Sequence, residues 1–159
     1  MKVISVDPGY DRLGVAVLEL EAGQEKLLYS TCLLTDKGTP INDRLFDIGS
    51  QFDSLLKKYQ PDTFATEKIF FNTNQKTGIA VAEAKGILIY LALTHNCSVY
   101  EFGPQVIKVA VTGYGKSDKS AVIDMVKRLI PTAPEKALDD EYDAIAVGIT
   151  CLAHYGRSK

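Results

Sequence analysis

The sequence predicts an α/β protein in which a mixed sheet of five strands carries packed helices. Two observations lead to this fold class. Three apolar runs with short connections open the chain, which is typical of an antiparallel meander. After about residue 40, segments with the helical period alternate with short extended segments. The predicted order β-β-β-α-β-α-β-α-α-α implies a mixed sheet covered by helices.

The first third of the chain contains the three predicted strands of the meander. Residues 3–6 form a short apolar run that ends at the turn signal Asp7-Pro8-Gly9. Residues 13–20 follow almost at once, which indicates a hairpin, and residues 26–34 form the third run.

The rest of the chain alternates between helical and extended patterns. Apolar residues recur at steps of three and four in the first helical segment, at Ile41, Leu45, Ile48, Phe52, Leu55 and Leu56. Pro61 ends that helix, and residues 62–67 read as a short strand. The remaining predicted elements are a helix at 76–94, a strand at 98–102, and helices at 104–111, 117–130 and 139–154.

The length of the chain predicts a single domain over residues 1–159, and its composition predicts a globular one. The chain is 46% hydrophobic and 24% charged, which excludes a disordered or collagen-like protein. Its formal charge of −2 argues against a uniformly basic coat protein for nucleic acid, but not against a nucleic-acid enzyme with local basic regions. Three widely spaced cysteines suit reduced thiols, and no apolar run approaches the length of a membrane span. We therefore expect a soluble, cytoplasmic protein that does not enter a membrane.

Four carboxylates occupy positions that favour a shared site. Asp7 and Glu67 each end a predicted strand, and ligand sites in α/β sheets form at such carboxyl ends. If the two strands are parallel neighbours, these side chains emerge side by side. Asp140 and Asp143 lie three residues apart on one face of the last helix, which could add both to the same acidic pocket.

A cluster of carboxylates requires a positive partner, because like charges repel. Mg²⁺ binds carboxylate oxygens and substrate phosphates, and two such ions can support phosphodiester hydrolysis. A structural role remains open for each acid taken alone: Asp7 suits a turn, and Asp140 suits a helix N-terminus. Asp143 is harder to explain structurally, because it precedes the apolar residues 144–147.

Two further segments suggest contacts with nucleic acid. Residues 106–128 contain five lysines and arginines against two aspartates, and the Gly113-Tyr114-Gly115 turn could let backbone amides approach a phosphate. A solvated helical face explains the same residues without a ligand. Phe70 and Phe71 follow Glu67 in a loop, where aromatic rings either stack on unpaired bases or anchor the loop in the core.

The helix at 76–94 is apolar on every face over residues 86–93, which a surface helix is not. Ala80, Ala82, Ala84 and Gly86 permit close approach of another helix. This helix therefore either lies at the centre of the monomer core or contacts a second subunit.

The order of these features resembles the RuvC Holliday junction resolvases of bacteria, which belong to the ribonuclease H-like superfamily. Five segments carry the resemblance over nearly the whole chain. They are Asp7-Pro8-Gly9 with Gly14; Pro61-Asp62-x-Phe64-Ala65-x-Glu67-x-x-Phe70 with Asn72; Ala84-Lys85-Gly86; Lys108-x-x-Val111-x-Gly113-x-Gly115-x-x-x-Lys119; and Asp140-x-x-Asp143-Ala144 with Ile149-Thr150.

The resemblance implies a ribonuclease H-like fold with helices on both faces of the sheet. It also implies Mg²⁺-dependent cleavage of four-way DNA junctions by paired symmetric nicks that leave 5′-phosphate and 3′-hydroxyl ends. Two Mg²⁺ ions, or Mn²⁺ in their place, would bind the four carboxylates Asp7, Glu67, Asp140 and Asp143. The DNA contacts implied are Phe70, Phe71, Asn72, Lys108, Tyr114, Lys116 and Lys119.

By the same resemblance, the chain would act as a homodimer through the helix at about 76–94 and would work with the branch-migration proteins RuvA and RuvB in the bacterial cytosol.

Three alternatives to this function stay open. One is another ribonuclease H-like nuclease acting on RNA or branched DNA, and a second is a non-catalytic junction-binding module. The third is an ATP-binding protein of the actin and sugar-kinase type, which the length of 159 residues disfavours.

Overall fold

A computed structural model describes residues 1–69 and 75–156 of the chain. The order of elements is the predicted one. The strands are β1 (Lys2–Asp7), β2 (Arg12–Glu21), β3 (Gln24–Leu34), β4 (Thr63–Glu67) and β5 (Ser98–Phe102). The helices are α1 (Ile41–Tyr59), α2 (Gln75–Thr94), α3 (Pro104–Thr112), α4 (Lys119–Leu129) and α5 (Asp139–Tyr155).

The strands form one mixed sheet in the order β3-β2-β1-β4-β5. β1, β2 and β3 pair antiparallel, as the short connections predicted, and the register sets Asp7 opposite Gly14. β4 pairs parallel to both β1 and β5, which the intervening helices α1 and α2 permit. The predicted five-stranded mixed sheet is confirmed.

Helices cover both faces of the sheet. Successive residues of a strand point to opposite faces, so Ile4 joins one core cluster and Val3 the other. The first cluster packs against α1 and α2 through Phe52 and Leu88. The second cluster packs against α3, α4 and α5, with Ile145 of α5 fully buried. The fold class that the sequence predicted is therefore correct in its layers as well as in its strands.

Small residues bring α5 close to the sheet. A Cβ atom at Gly14 would collide with the backbone carbonyl of Asp140, and one at Gly148 would collide with the side chains of Leu18 and Ser5. The Ser5 hydroxyl donates a 2.7 Å hydrogen bond to the carbonyl of Ala144. These contacts hold the first turns of α5 over the end of β1.

The predicted start of the helix at residue 117 is wrong by two positions, because Asp118 caps α4. Its side chain accepts a 2.8 Å hydrogen bond from the backbone N–H of Ala121, which satisfies one of the free donors of the first helical turn. Lys119 is therefore the first residue of α4. From this position the Lys119 side chain reaches Asp139 and Asp143 of α5.

α2 combines a core face with an exposed apolar face. Leu88 and Ala92 are fully buried, whereas Tyr90 is 66% exposed and neighbours α1, whose Phe46 is 77% exposed. The close approach between these helices involves Gly49 of α1 rather than Gly86, around which there is open space. None of the helices in residues 1–69 and 75–156 has the length and apolarity to cross a bilayer.

Candidate active site

Asp7 and Glu67 lie side by side at the carboxyl edge of the central strands. The parallel register pairs Val6 with Thr66, so the next residue on each strand is one of the two acids. Both line a cavity of about 700 Å³ together with Pro8, Lys68 and Pro104 among others. The predicted juxtaposition of the two strand-end carboxylates is present in the structure.

α5 brings its own acids to the same place. Asp143 lines a smaller cavity of about 250 Å³ that shares Glu67 with the larger one. Lys108 of α3 and Lys119 of α4 also line this smaller cavity. Asp140, one turn earlier on α5, is close enough to raise the pKa of Asp7 by its charge. All four predicted carboxylates therefore belong to one acidic cluster.

Burial and mutual repulsion disfavour the ionisation of Asp7, Glu67 and Asp143. The pKa of Asp7 is raised from 3.8 to about 7, first by burial and then by the charges of Asp143, Asp140 and Glu67. Burial is also the main cause that raises the pKa of Glu67, with the Asp143 charge second. The pKa of Asp143 is raised by burial as well, although Lys119 opposes the shift. The described part of the chain does not supply enough positive charge to neutralise these three carboxylates.

Ion pairs from Lys119 and Arg12 partly compensate the cluster. Lys119 Nζ lies 2.9 Å from Asp143 and 3.3 Å from Asp139, and it donates hydrogen bonds to both carboxylates. Arg12 Nε lies 3.5 Å from Oδ2 of Asp140, which is an ion pair without a hydrogen bond. That buried Oδ2 atom has no hydrogen-bond partner within the described part of the chain.

The chemistry of this cluster fits a hard divalent cation, although its side chains do not form a preassembled site. No group of three or more His, Cys, Asp or Glu side chains within residues 1–69 and 75–156 is arranged to hold a metal ion. The donors present are carboxylate oxygens, which Mg²⁺ and Mn²⁺ prefer. The raised pKa of Asp7 and the unpartnered oxygen of Asp140 are what a missing positive charge would produce.

Arg44 of α1 holds the turn after Asp7 in place. Its guanidinium donates to Thr35 Oγ1 at 3.1 Å and to the carbonyl of Tyr10 at 3.3 Å. The same group forms an ion pair with Asp11 and lies over the ring of Tyr10. Arg44 is buried, so these contacts fix the backbone that follows the carboxyl end of β1.

The predicted DNA contacts fall into three groups. Lys108 and Lys119 line the smaller acidic cavity. Tyr114 and Lys116 lie in the exposed turn between α3 and α4. Phe70, Phe71 and Asn72 lie outside the described residues.

Two basic residues close to the cluster, Arg12 and Lys85, were not predicted as part of the site. Arg12 gave no signal, because its partner Asp140 is far along the chain. Lys85 shares the otherwise uncharged stretch 78–94 with Glu83, so the sequence does not mark it as a buried charge with a distant partner. The structure places its Nζ 2.9 Å from the backbone carbonyl of Glu67.

Known proteins share both the sequence and the fold of this chain. The model of the family "Crossover junction endodeoxyribonuclease RuvC" matches residues 3–151. RuvC of Alkaliphilus oremlandii is 37% identical over 156 residues, covering 98% of this chain and 94% of the relative. RuvC of Thermosipho melanesiensis is 41% identical over 153 residues, with coverages of 96% and 97%.

Solved structures of RuvC proteins also superpose on this chain. Thermus thermophilus RuvC in complex with a Holliday junction substrate superposes with a TM-score of 0.90 at 28% identity, covering 99% of this chain and 96% of that one. The ribonuclease H-like arrangement implied by the sequence is thereby confirmed. This chain belongs to the RuvC family of crossover junction endodeoxyribonucleases.

Proposed function

We propose that the chain is a Mg²⁺-dependent endonuclease that resolves four-way DNA junctions by paired symmetric nicks. One observation carries this proposal: Asp7, Glu67, Asp140 and Asp143 gather at the carboxyl edge of the sheet in a member of the RuvC family. The nicks would leave 5′-phosphate and 3′-hydroxyl ends. Residues 1–159 would act as a single nuclease domain in the bacterial cytosol.

The four carboxylates would hold two Mg²⁺ ions, for which Mn²⁺ can substitute. When bound, such ions supply positive charge to the phosphate and to the leaving oxygen and make a water molecule a better nucleophile. The protein's own part is to hold the carboxylates on rigid elements, with Asp7 and Glu67 at strand ends and Asp143 on a buried helix. Ser5 and Gly14 support this arrangement because they set the position of α5 over β1.

Basic residues beside the cluster would bind the DNA backbone. Lys108 and Lys119 line the cavity that contains Glu67 and Asp143, so a phosphate at that cavity would be within their reach. Lys116 and Tyr114 would contact DNA outside the cavity, from the exposed turn after α3. Phe70, Phe71 and Asn72 follow Glu67 in the sequence and would contact bases near the branch point.

A second copy of this chain would cover the exposed apolar face of α1 and α2. Phe46, Tyr90 and Leu91 line a groove of about 740 Å³ on that face. A contiguous exposed apolar surface of this kind is typical of a site of protein–protein association. A homodimer through α2 would provide two acidic clusters, one for each of two opposed strands of a junction. RuvA and RuvB are the further partners that family membership suggests.

Cleavage of a synthetic four-way junction tests this function. The wild-type protein with Mg²⁺ is expected to nick two opposed strands at symmetric positions, and Asp7→Asn is expected to lose about 100-fold or more of that activity. Asp124→Asn, the same substitution at an exposed position of α4, is the matched control and should cut normally. Both variants should still bind the junction.

Two results would contradict the proposal. Equal cleavage by Asp7→Asn and wild type would remove the carboxylate cluster from the mechanism. Junction binding without cleavage under Mg²⁺ or Mn²⁺ would instead identify a non-catalytic binding module.

A further inference from the structure

Lys85 is a buried ammonium group directly behind the acidic cluster. The residue lies in the middle of α2 and is only 7% exposed. A buried charge is costly unless it is paired and hydrogen-bonded. Lys85 meets this requirement with two acceptors, because its Nζ lies 2.6 Å from Glu101 Oε1 and 2.9 Å from the backbone carbonyl of Glu67.

The carbonyl of Glu67 depends on this contact because the strand ladder ends there. The register of β1 against β4 stops at Val6 opposite Thr66, one residue before Glu67. On the other side, the ladder continues with a 2.9 Å hydrogen bond from Lys68 N–H to the carbonyl of Phe102. The Lys85 ammonium therefore donates to a carbonyl at the point where β4 leaves its pairing with β1.

Lys85 and the carboxylate of Glu67 act from opposite faces of the sheet. Phe64 belongs to the core cluster on the α1 and α2 face, whereas Ala65 belongs to the cluster on the α5 face. Side chains alternate along a strand, so Glu67 points with Ala65 toward α5. Lys85 thus holds the backbone of Glu67 without occupying its carboxylate oxygens.

We propose that Lys85 is a positioning residue that fixes Glu67 for binding a divalent cation. The inference rests on the proposed function, since it assumes that Glu67 is a metal ligand. Groups that hold a metal ligand in place commonly affect metal affinity even though they do not touch the ion. The competing explanation is purely structural, with Lys85 serving only to neutralise Glu101.

A titration of the full chain with Mn²⁺ separates the two explanations. The electron paramagnetic resonance signal of the free ion measures how much Mn²⁺ is bound. Lys85→Met keeps the apolar stem and removes the donor, and it is expected to weaken Mn²⁺ binding about tenfold. Junction affinity without divalent ions should stay unchanged, because Lys85 lies on the face away from the cluster. The variant should fold, since the Glu101 side chain is 37% exposed and can reach water; circular dichroism and a thermal scan check this.

Substitutions at Glu101 make the test specific. Glu101→Gln retains the ammonium and leaves an amide oxygen to accept from it, so its Mn²⁺ affinity should match wild type. The double variant Lys85→Met/Glu101→Gln has no unpaired charge, so it should recover any lost stability while Mn²⁺ binding stays weak. Wild-type Mn²⁺ affinity in the single or the double Lys85→Met variant would overturn the positioning role of Lys85 but not the proposed metal site. A wild-type protein that binds no Mn²⁺ would overturn the proposed metal site and this inference together.

Discussion

The carboxyl group of Asp7 lies where burial and three neighbouring acids all oppose its ionisation. Its pKa is raised to about 7, so a substantial fraction of the protein carries a proton there at neutral pH. Divalent cations would displace that proton and relieve the repulsion. The protonation of Asp7 should therefore depend on bound metal. The pH dependence of the free energy of unfolding reports this protonation.

In metal-free buffer, the free energy of unfolding should fall as the pH rises from about 4 to about 7. The folded-state pKa of Asp7 lies above its ordinary value of 3.8, so its stabilising contribution is complete below that value and is lost as the pH passes the folded pKa. The expected loss is roughly 2–4 kcal/mol. Urea unfolding at pH 5 and pH 7.5 in EDTA measures it.

Asp7→Asn isolates this contribution from other titrating groups. The variant has no charge to gain at that position, so its stability should fall less over the same pH range, and Mg²⁺ should stabilise it less than wild type at pH 7.5. Asp124→Asn should behave like wild type. Parallel pH profiles for wild type and Asp7→Asn would show that the charge of Asp7 does not strain the folded state.

Single residues also show how far the sequence can be interpreted. The positions of Asp7 and Glu67 were predictable, because a strand pattern fixes where a strand ends and parallel strands end at one edge. The partners of Lys85 and Arg12 were not, because side chains that meet across the fold leave no local period.

At the scale of elements, the strands and helices were predictable, whereas the placement of α5 on the sheet was not. Periodic patterns define each element, and most predicted boundaries lie within a few residues of the observed ones. The position of α5 depends instead on close contacts at Gly14 and Gly148 and on the hydrogen bond from Ser5 to Ala144. A sequence pattern does not specify such contacts, although they decide where Asp140 and Asp143 lie.

The turn between α3 and α4 should contribute to DNA affinity rather than to chemistry. Lys116 is exposed there and lines neither acidic cavity. Lys116→Ala is expected to weaken junction binding equally for different sequences and to lower the salt dependence by about one phosphate contact. Fluorescence anisotropy over a series of KCl concentrations measures both quantities.

The control for this substitution is Lys57→Ala, on the opposite side of the sheet in α1, where Lys57 forms a surface pair with Asp53. Its junction affinity and salt dependence should equal those of wild type. An unchanged salt slope in Lys116→Ala would place the DNA away from this turn.

In the whole molecule, the acidic cluster and the exposed apolar face of α1 and α2 lie on opposite sides of the sheet. The formal charge of −2 includes the four clustered carboxylates, and two Mg²⁺ ions would add four positive charges at that place. The cluster should therefore repel phosphate without metal and attract it with metal. The apolar face of α1 and α2 lies on the other side of the sheet from α5. Dimer formation there would leave both acidic clusters open to DNA.

Tyr90→Asp tests this assembly, because Tyr90 is 66% exposed within the apolar groove. A charge at the centre of an apolar contact is strongly unfavourable, so the variant should be monomeric by analytical ultracentrifugation at concentrations where wild type is dimeric. Leu34→Asp introduces the same charge at a similarly exposed apolar position of β3 and should remain dimeric. A dimeric Tyr90→Asp would exclude this face as the interface.

The product formed from a supercoiled plasmid that extrudes a cruciform tests the carboxylate cluster and the dimer together. A single nick relaxes the plasmid and removes the cruciform, so linear product requires both strands to be cut within one encounter. Wild type with Mg²⁺ is predicted to give mainly linear plasmid, Tyr90→Asp mainly nicked circles, and Asp7→Asn neither. Nicked circles alone from wild type, or linear plasmid from Asp7→Asn, would contradict a dimeric resolvase that cuts through this carboxylate cluster.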